Sequence, residues 1–334
     1  MRCAYLAFTE KGLALARRLA KTLPGSVSRC GAGEGRVSLA DWTAAQFARS
    51  EALIFVGAAG IAVRAIAPHC RSKAADPAVV VLDECGRFAI PLLSGHLGGA
   101  NALAAQLAAA CGAVPVITTA TDANGLFAVD SWAKENGCAV LEPERIKHVS
   151  GALLAGESVY YASDFDITGT LPRGVGMAGE GQTPDFVLTL APGKAAPAAL
   201  HLVPKIAVLG VGCKRGTSAA QLEAAFAAFC ACYGLAPAGI TAAASIDLKQ
   251  NEPGLAAFCA AHGWPVTFYT AEQLRSTPGE FTPSAFVARV TGVDNVCERA
   301  AVRAAGGPLV CPKFAGGGVT LALAARPFAP DWRK

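Results

Sequence analysis

Apolar residues along the chain follow two recurring patterns: short unbroken runs bounded by glycine or polar residues, and longer stretches in which they return every three or four positions. The first pattern suits strands buried on both faces, and the second suits the helices that cover them. Over residues 1 to 135 the two alternate. RCAYLAF predicts a strand and LALARRLAKTL an amphipathic helix; EALIFVGA is a strand, and AAGIAVRAIAPH a loop with a short helix. AVVVLD and RFAIPLL are strands joined by the tight turn Glu84-Cys85-Gly86, a hairpin signal. GHLGGANALAAQLAAACG opens with glycines and continues as a helix, and VPVITT is a further strand.

Residues 136 to 203 read differently. LPRGVGMAGEGQTPD is rich in glycine and polar residues, APGKAAPAALHLVPK reads as a linker, and only VYYAS and FVLTL stand out as short strands. From 204 to 326 the alternation resumes. KIAVLGVGC is a buried strand and loop, SAAQLEAAFAAFCACYG and GLAAFCAAHG are helices, and PVTFYT is a strand after which AEQL starts a helix. CERAAVRAAGG is a closing helix, followed by the strands PLVCPKF and GVTLALA. The expected fold is a multi-domain α/β protein: an N-terminal domain over 1–135, a small middle domain and linker of low helical content over 136–203, and a C-terminal domain over 204–326. Mostly parallel sheets covered by helices are expected in the outer two.

Composition narrows the function classes. Of 334 residues, 53% are apolar and the net charge is only +4, so the chain can bury large cores and offers no basic field for nucleic acid. A slight basic excess suits acidic metabolites, which need a few placed cations. Mean hydropathy is positive, but it comes from alanine-rich amphipathic stretches, and no long apolar run predicts a membrane span. The N-terminal run is interrupted by Glu10 and Lys11, unlike a signal peptide. Twelve scattered cysteines without a C-x-x-C pair signal neither a zinc site nor a thioredoxin motif. They suggest a reducing compartment, and a cytoplasmic location is expected.

Chemistry concentrates in loops between strands and helices. In GAAGIAVR, Gly57 and Gly60 follow a strand and open a helix whose N–H groups suit an anion, with Arg64 as a bidentate donor; an ordinary turn with a surface arginine fits equally well. In SGHLGGAN, His96 lies between glycines near a helix start, Gly98 and Gly99 permit close backbone approach, and Asn101 supplies an amide. In TTATDANG, the hydroxyls of Thr118, Thr119 and Thr121 converge with Asp122 at the end of a strand, on the same sheet edge as His96. The hairpin carries Asp83, Glu84 and Arg87 and reads mainly as a solvated turn. GVGCKRGT resembles a dinucleotide loop with one residue too many, so Lys214 and Arg215 read as an anion-binding pair rather than part of a nicotinamide site. In ASIDLKQNEPGL, Lys249 is placed to reach the same ligand as Lys214, although helix capping accounts for much of that stretch.

The runs GIAVRAIAPH, KAADPAVVVLDECGRFAIPLLSGHLGGANALA and VPVITTATDANG resemble the cobalt-precorrin-5A hydrolase (CbiG) family of anaerobic cobalamin biosynthesis. GVGCKRGT, ASIDLKQNEPGL, VCERAA and VCPKFAGGGVTLALA resemble that family's C-terminal domain, which also occurs alone as a CobE-like protein. The resemblance spans nearly the whole chain and is weakest over residues 140 to 200. It implies a cobalt-bearing tetrapyrrole substrate whose ring A δ-lactone is opened by water, with release of a two-carbon unit as acetaldehyde to give cobalt-precorrin-5B. It implies no cofactor or protein-bound metal, since the substrate carries the cobalt, and a small-molecule tetrapyrrole partner, with other cobalamin-pathway enzymes as candidate partners.

For that chemistry the expected roles are His96 as general base, Asp122 as its orienting group, and Gly98, Gly99 or Asn101 as oxyanion donors. Thr118, Thr119 and Thr121 would hold water or the lactone carbonyl, and Arg64, Arg87, Lys214 and Arg215 would bind substrate carboxylates. Two alternatives stay open: a non-catalytic carrier or scaffold for corrinoid intermediates, and a nicotinamide oxidoreductase.

Overall fold

The computed structural model describes residues 1–72 and 75–333; Lys73, Ala74 and Lys334 lie outside it. The chain divides into two compact units, Met1–Ser131 and Trp132–Lys334.

The first unit is built on β1 (Cys3–Ala7), α1 (Glu10–Thr22), β2 (Gly25–Arg29), α2 (Leu39–Arg49), β3 (Ala52–Val56), α3 (Ala59–Ile66), β4 (Ala78–Leu82), β5 (Phe88–Leu93), α4 (Ala100–Cys111), β6 (Val114–Pro115) and α5 (Ala120–Ala123). Then α6 (Val129–Glu135) runs across the division. The sheet order is β2-β1-β3-β4-β5-β6. The unbroken apolar runs fill its centre: every residue of β1, β3 and β4 is buried, and Leu6, Ile54 and Phe55 are fully enclosed. Each such side chain contributes about 1.5–3 kcal/mol relative to exposure. Thr9 caps α1 by accepting the Gly12 N–H.

One feature of this sheet positions the site. Strands β2, β1, β3 and β4 run parallel, but the predicted hairpin makes β5 antiparallel to β4, and β6 follows β5. Chain leaving β5 or β6 therefore emerges at the edge where the first four strands begin. The strand expected over VPVITT is confined to Val114–Pro115, and Thr118 and Thr119 follow as loop.

The second unit holds two sheets. One consists of β7 (Cys138–Val140), β8 (Val159–Ser163), β9 (Val175–Met177), β10 (Phe186–Leu188) and β11 (Leu200–Pro204), in the order β7-β11-β10-β8-β9, with α7 (Ile146–Leu154) before β8. The linker reading of APGKAAPAALHLVPK is corrected here: LHLVP is β11, buried at every position between β10 and β7. Its flanking alanines and prolines disguised a five-residue apolar run.

The other sheet, in the order β14-β13-β12-β16-β15, is formed by β12 (Ala207–Cys213), β13 (Ile240–Ile246), β14 (Val266–Tyr269), β15 (Leu309–Gly316) and β16 (Val319–Ala325). It is flanked by α8 (Ala219–Tyr233), α9 (Pro253–Ala261), α10 (Ala271–Arg275), α11 (Ala285–Thr291) and α12 (Cys297–Ala305). Strand β13 was not predicted, because ITAAASI carries few large apolar residues; it lies between β12 and β14 and pairs parallel with both. Leu190 and Val203 of the middle region share one core with Leu209, Phe226 and Phe229. The fold is thus mixed α/β, with three sheets flanked by helices. Parallel pairs predominate in the first two, and in the third β12, β13 and β14 run parallel while β16 and β15 add antiparallel.

The buried cysteines Cys3, Cys138, Cys259, Cys297 and Cys311 behave as small hydrophobes. All twelve are free, and burial pushes the Cys138 thiol up to about 12 and those of Cys259 and Cys311 up to about 11. Among the described residues no helix is long and apolar enough to cross a membrane.

Candidate functional site

The site grows out of the loop after β5. Ser94 takes a left-handed conformation, φ 57°, unusual for a non-glycine residue, and its Oγ donates to the Asp76 carbonyl at 3.0 Å. The chain then closes on itself: the Ala100 N–H donates to the Ser94 carbonyl and the Asn101 N–H to the Gly95 carbonyl, each at 3.0 Å. Gly98 is required for this closure, since a Cβ there would lie 2.2 Å from the Ser94 Cβ. Gly99, φ 87°, is the left-handed residue that starts α4. These glycines let the loop pack against itself and set His96 in place.

His96 is gripped on both ring nitrogens. Nε2 lies 2.6 Å from Asp122 Oδ2 on α5, and Nδ1 lies 3.2 Å from Asp130 Oδ1 on α6. Asn101 Nδ2 donates to Asp122 Oδ2 at 3.1 Å and to Thr119 Oγ1 at 2.9 Å, and Thr119 Oγ1 donates to the same Asp122 oxygen. Thr121 Oγ1 lies 3.5 Å from His96 Nε2. The contacts to Asp122 all fall on Oδ2. Oδ1 takes no hydrogen bond from the described residues, and the Asp122 side chain is 38% exposed.

The charges follow from this geometry. The hydrogen bond to Asp130 raises the His96 pKa; burial opposes it, the bond to Asp122 adds to it, and the value reaches about 9. His96 is therefore an imidazolium at neutral pH. Burial works to raise the Asp122 pKa, but the hydrogen bonds from Thr119 and His96 outweigh it and hold the carboxyl below its usual range. The expected roles are His96 as base and Asp122 as its orienting group; the two shifts run the other way, favouring a protonated ring and an ionised carboxylate.

The structure brings together His96, Asn101, Thr119, Thr121 and Asp122, with Thr118 exposed beside them. It does not bring Gly57, Gly60, Arg64 or Arg87 to them. Gly57 and Gly60 lie at the opposite sheet edge, after β3. The Gly57 N–H is taken by the Leu82 carbonyl at 2.8 Å, and a Cβ at Gly57 would lie 2.5 Å from the Phe8 ring. The exposed Arg64 guanidinium lies over Gly60. Arg87 sits in the hairpin beside Asp83, at the far end of β5 from His96, roughly 20 Å of strand away.

In the second unit, Lys214 and Arg215 are exposed in the loop after β12, and Lys249 follows β13 at the same sheet edge. Lys249 Nζ pairs with Glu252 at 2.9 Å, and Glu252 also accepts the Gly216 N–H at 2.9 Å. Lys249, expected to reach a ligand alongside Lys214, here pairs with Glu252, and through it the two loops are tied together. Gly210 and Gly212 belong to β12, and a Cβ at Gly210 would lie 1.8 Å from the Cys297 carbonyl oxygen of α12. Gly210 thus serves helix packing, and a Cβ at Gly212 would lie 2.5 Å from Thr320 Oγ1 on the neighbouring β16, so neither is kept for a dinucleotide.

Two residues escaped the sequence reading. Asp130 sits in FAVDSWAK, where an acid in a helix's first turn passes for an ordinary helix start. Glu298, fully buried on α12, accepts from the Thr282 N–H, Asn295 Nδ2 and the Lys313 N–H, each at 2.6 Å, and so ties a loop to β15. Among the described residues no group of three or more His, Cys, Asp or Glu side chains is arranged to hold a metal ion.

Comparison with known proteins agrees along most of the chain. Family models described as cobalamin synthesis G N-terminal, cobalamin biosynthesis central region and cobalamin synthesis G C-terminus match residues 41–122, 127–179 and 207–324. The chain is 36% identical to cobalt-precorrin-5A hydrolase of Salmonella typhimurium over 96% of both chains. It is 31% identical to that of Priestia megaterium, over 84% of this chain and 80% of the relative. The solved structure of CobE, a protein from the cobalamin biosynthetic pathway, is 34% identical and covers 38% of this chain and 94% of its own, with a TM-score of 0.35. The protein is a hydrolase with a role in cobalamin biosynthesis. On these matches and on the order of its motifs, the chain belongs to the cobalamin synthesis G family, that of the cobalt-precorrin-5A hydrolases.

Proposed function

We propose that the chain hydrolyses the ring A δ-lactone of cobalt-precorrin-5A, releases the C20 two-carbon unit as acetaldehyde and yields cobalt-precorrin-5B. The observation that carries this reading is the ionised Asp122, with one oxygen fastened by His96, Asn101 and Thr119 and the other open. Lactone hydrolysis requires a group that takes a proton from water, and the open Oδ1 is that group. His96 is not the base, because both its nitrogens face carboxylates and it already carries the proton. It holds Asp122 in place and balances its charge. Both Asn101 Nδ2 hydrogens are engaged within the cluster, so the backbone N–H groups of Gly98 and Gly99 are the candidate oxyanion donors. The exposed Lys214 and Arg215 suit the carboxylates of a tetrapyrrole, with no cofactor required.

The experiment is to supply the protein with cobalt-precorrin-5A and measure acetaldehyde. Stoichiometric release is expected from the wild-type chain, and binding of the macrocycle without acetaldehyde would make the chain a carrier instead.

A further inference from the structure

Asp130 lies behind His96, on the side away from Asp122. It is 4% exposed, and its Oδ1 meets His96 Nδ1 at 3.2 Å and the Ser131 N–H at 3.1 Å. Among the described residues no lysine or arginine pairs with Asp130 or Asp122, so the one imidazole ring is the cation for both. A carboxylate this deeply enclosed is tolerated only with a partner that is charged and well aimed. The groups facing the ring are Asp122 and the neutral Thr121 from α5 and Asp130 from α6; Asn101 of α4 reaches the ring only through Asp122.

We propose that Asp130 is a positioning residue: its buried carboxylate fixes the His96 ring so that Nε2 fastens Asp122 Oδ2 and leaves Oδ1 turned toward the substrate. This rests on the reading of Asp122 as the base. With the Nδ1 partner removed, the ring loses both its orientation and the main reason it keeps its proton. A neutral ring could then present a lone pair to Asp122 Oδ2, a repulsive contact that turns the carboxylate away from its working position. Asp130 touches no reacting atom, so its loss should lower kcat while leaving KM nearly unchanged.

The test uses the full chain with ¹⁵N-labelled imidazole rings, titrated by NMR, alongside acetaldehyde release. Asp130→Asn should bring the His96 midpoint down by about one pH unit or more and lower kcat by roughly 10–100-fold with KM within about threefold. Asp130→Glu, which keeps the charge, should restore most of the midpoint and only part of kcat. An unchanged His96 midpoint and unchanged kcat in a folded Asp130→Asn protein overturn the proposal. If that variant does not fold, wild-type kcat in Asp130→Glu overturns it, because a displaced carboxylate cannot hold the same ring geometry. The NMR midpoint needs no substrate, so absence of acetaldehyde from the wild-type chain would sink the lactone reading while the titration still decides the role of Asp130.

Discussion

Two loops at the sheet edges use similar residues to opposite ends. Around His96, two carboxylates compete for one imidazolium, and one oxygen of Asp122 is left open. Around Lys214, the charges settle among themselves: Lys249 neutralises Glu252, Glu252 holds the Gly216 N–H, and Lys214 and Arg215 face solvent. The first arrangement leaves a carboxylate oxygen open, and the second ties two loops together and leaves two cations exposed. What separates them is the pairing of charge, not the abundance of glycine or polar residues.

The comparison breaks most visibly at Asp122. Asp122→Asn keeps the shape and removes the base, and kcat for acetaldehyde release should fall roughly 10²–10⁴-fold with the circular dichroism spectrum unchanged. Turnover within about threefold of wild type would place the base elsewhere.

His96→Ala comes next. It leaves the buried Asp130 carboxylate without its cation, which should destabilise the first unit by roughly 3 kcal/mol, read by urea unfolding. The pH dependence follows from the raised pKa. The stabilisation from the His96 proton is complete below the ordinary histidine value near 6.5 and is lost as pH rises through about 9. Wild-type stability should therefore decline across that window, and His96→Gln should lack this part of the decline. The contribution of Asp122 has the opposite sign, fading as pH falls through the range below its usual pKa.

On the second loop the effects should be smaller and of another kind. Replacing Lys214 and Arg215 together by alanine should raise KM roughly tenfold with kcat nearly constant, since the loss is of uniform binding. Arg64→Ala and Arg87→Ala should change either constant by less than about twofold, because both residues sit at the sheet edge away from His96. A large kcat effect from either arginine would place it at the reacting centre and contradict its position at the opposite sheet edge from His96.

Much of this was legible in the sequence. The glycine-flanked His96 and the threonine-rich loop after β6 announce a shared edge, and the hairpin at Glu84-Cys85-Gly86 announces the antiparallel β5. The reversal itself carries the chain after β5 to the opposite edge from Gly57 and Arg64, which a linear pattern of glycine-opened loops does not reveal. Asp130 was hidden by its place at a helix start, and without it His96 looks neutral. A protonation state depends on every neighbour in space, and one of the two that matter lies 34 positions along the chain. Strands β11 and β13 were obscured by alanine, which carries little pattern of its own.

The central claim is that His96 is a held cation and Asp122 the open base. Its most direct test is the ¹⁵N chemical shifts of the wild-type His96 ring at neutral pH, followed as pH is raised. The account predicts two protonated nitrogens at pH 7 and a midpoint near 9. A neutral ring at pH 7, with a midpoint near the ordinary 6.5, would contradict it and return His96 to the role of base.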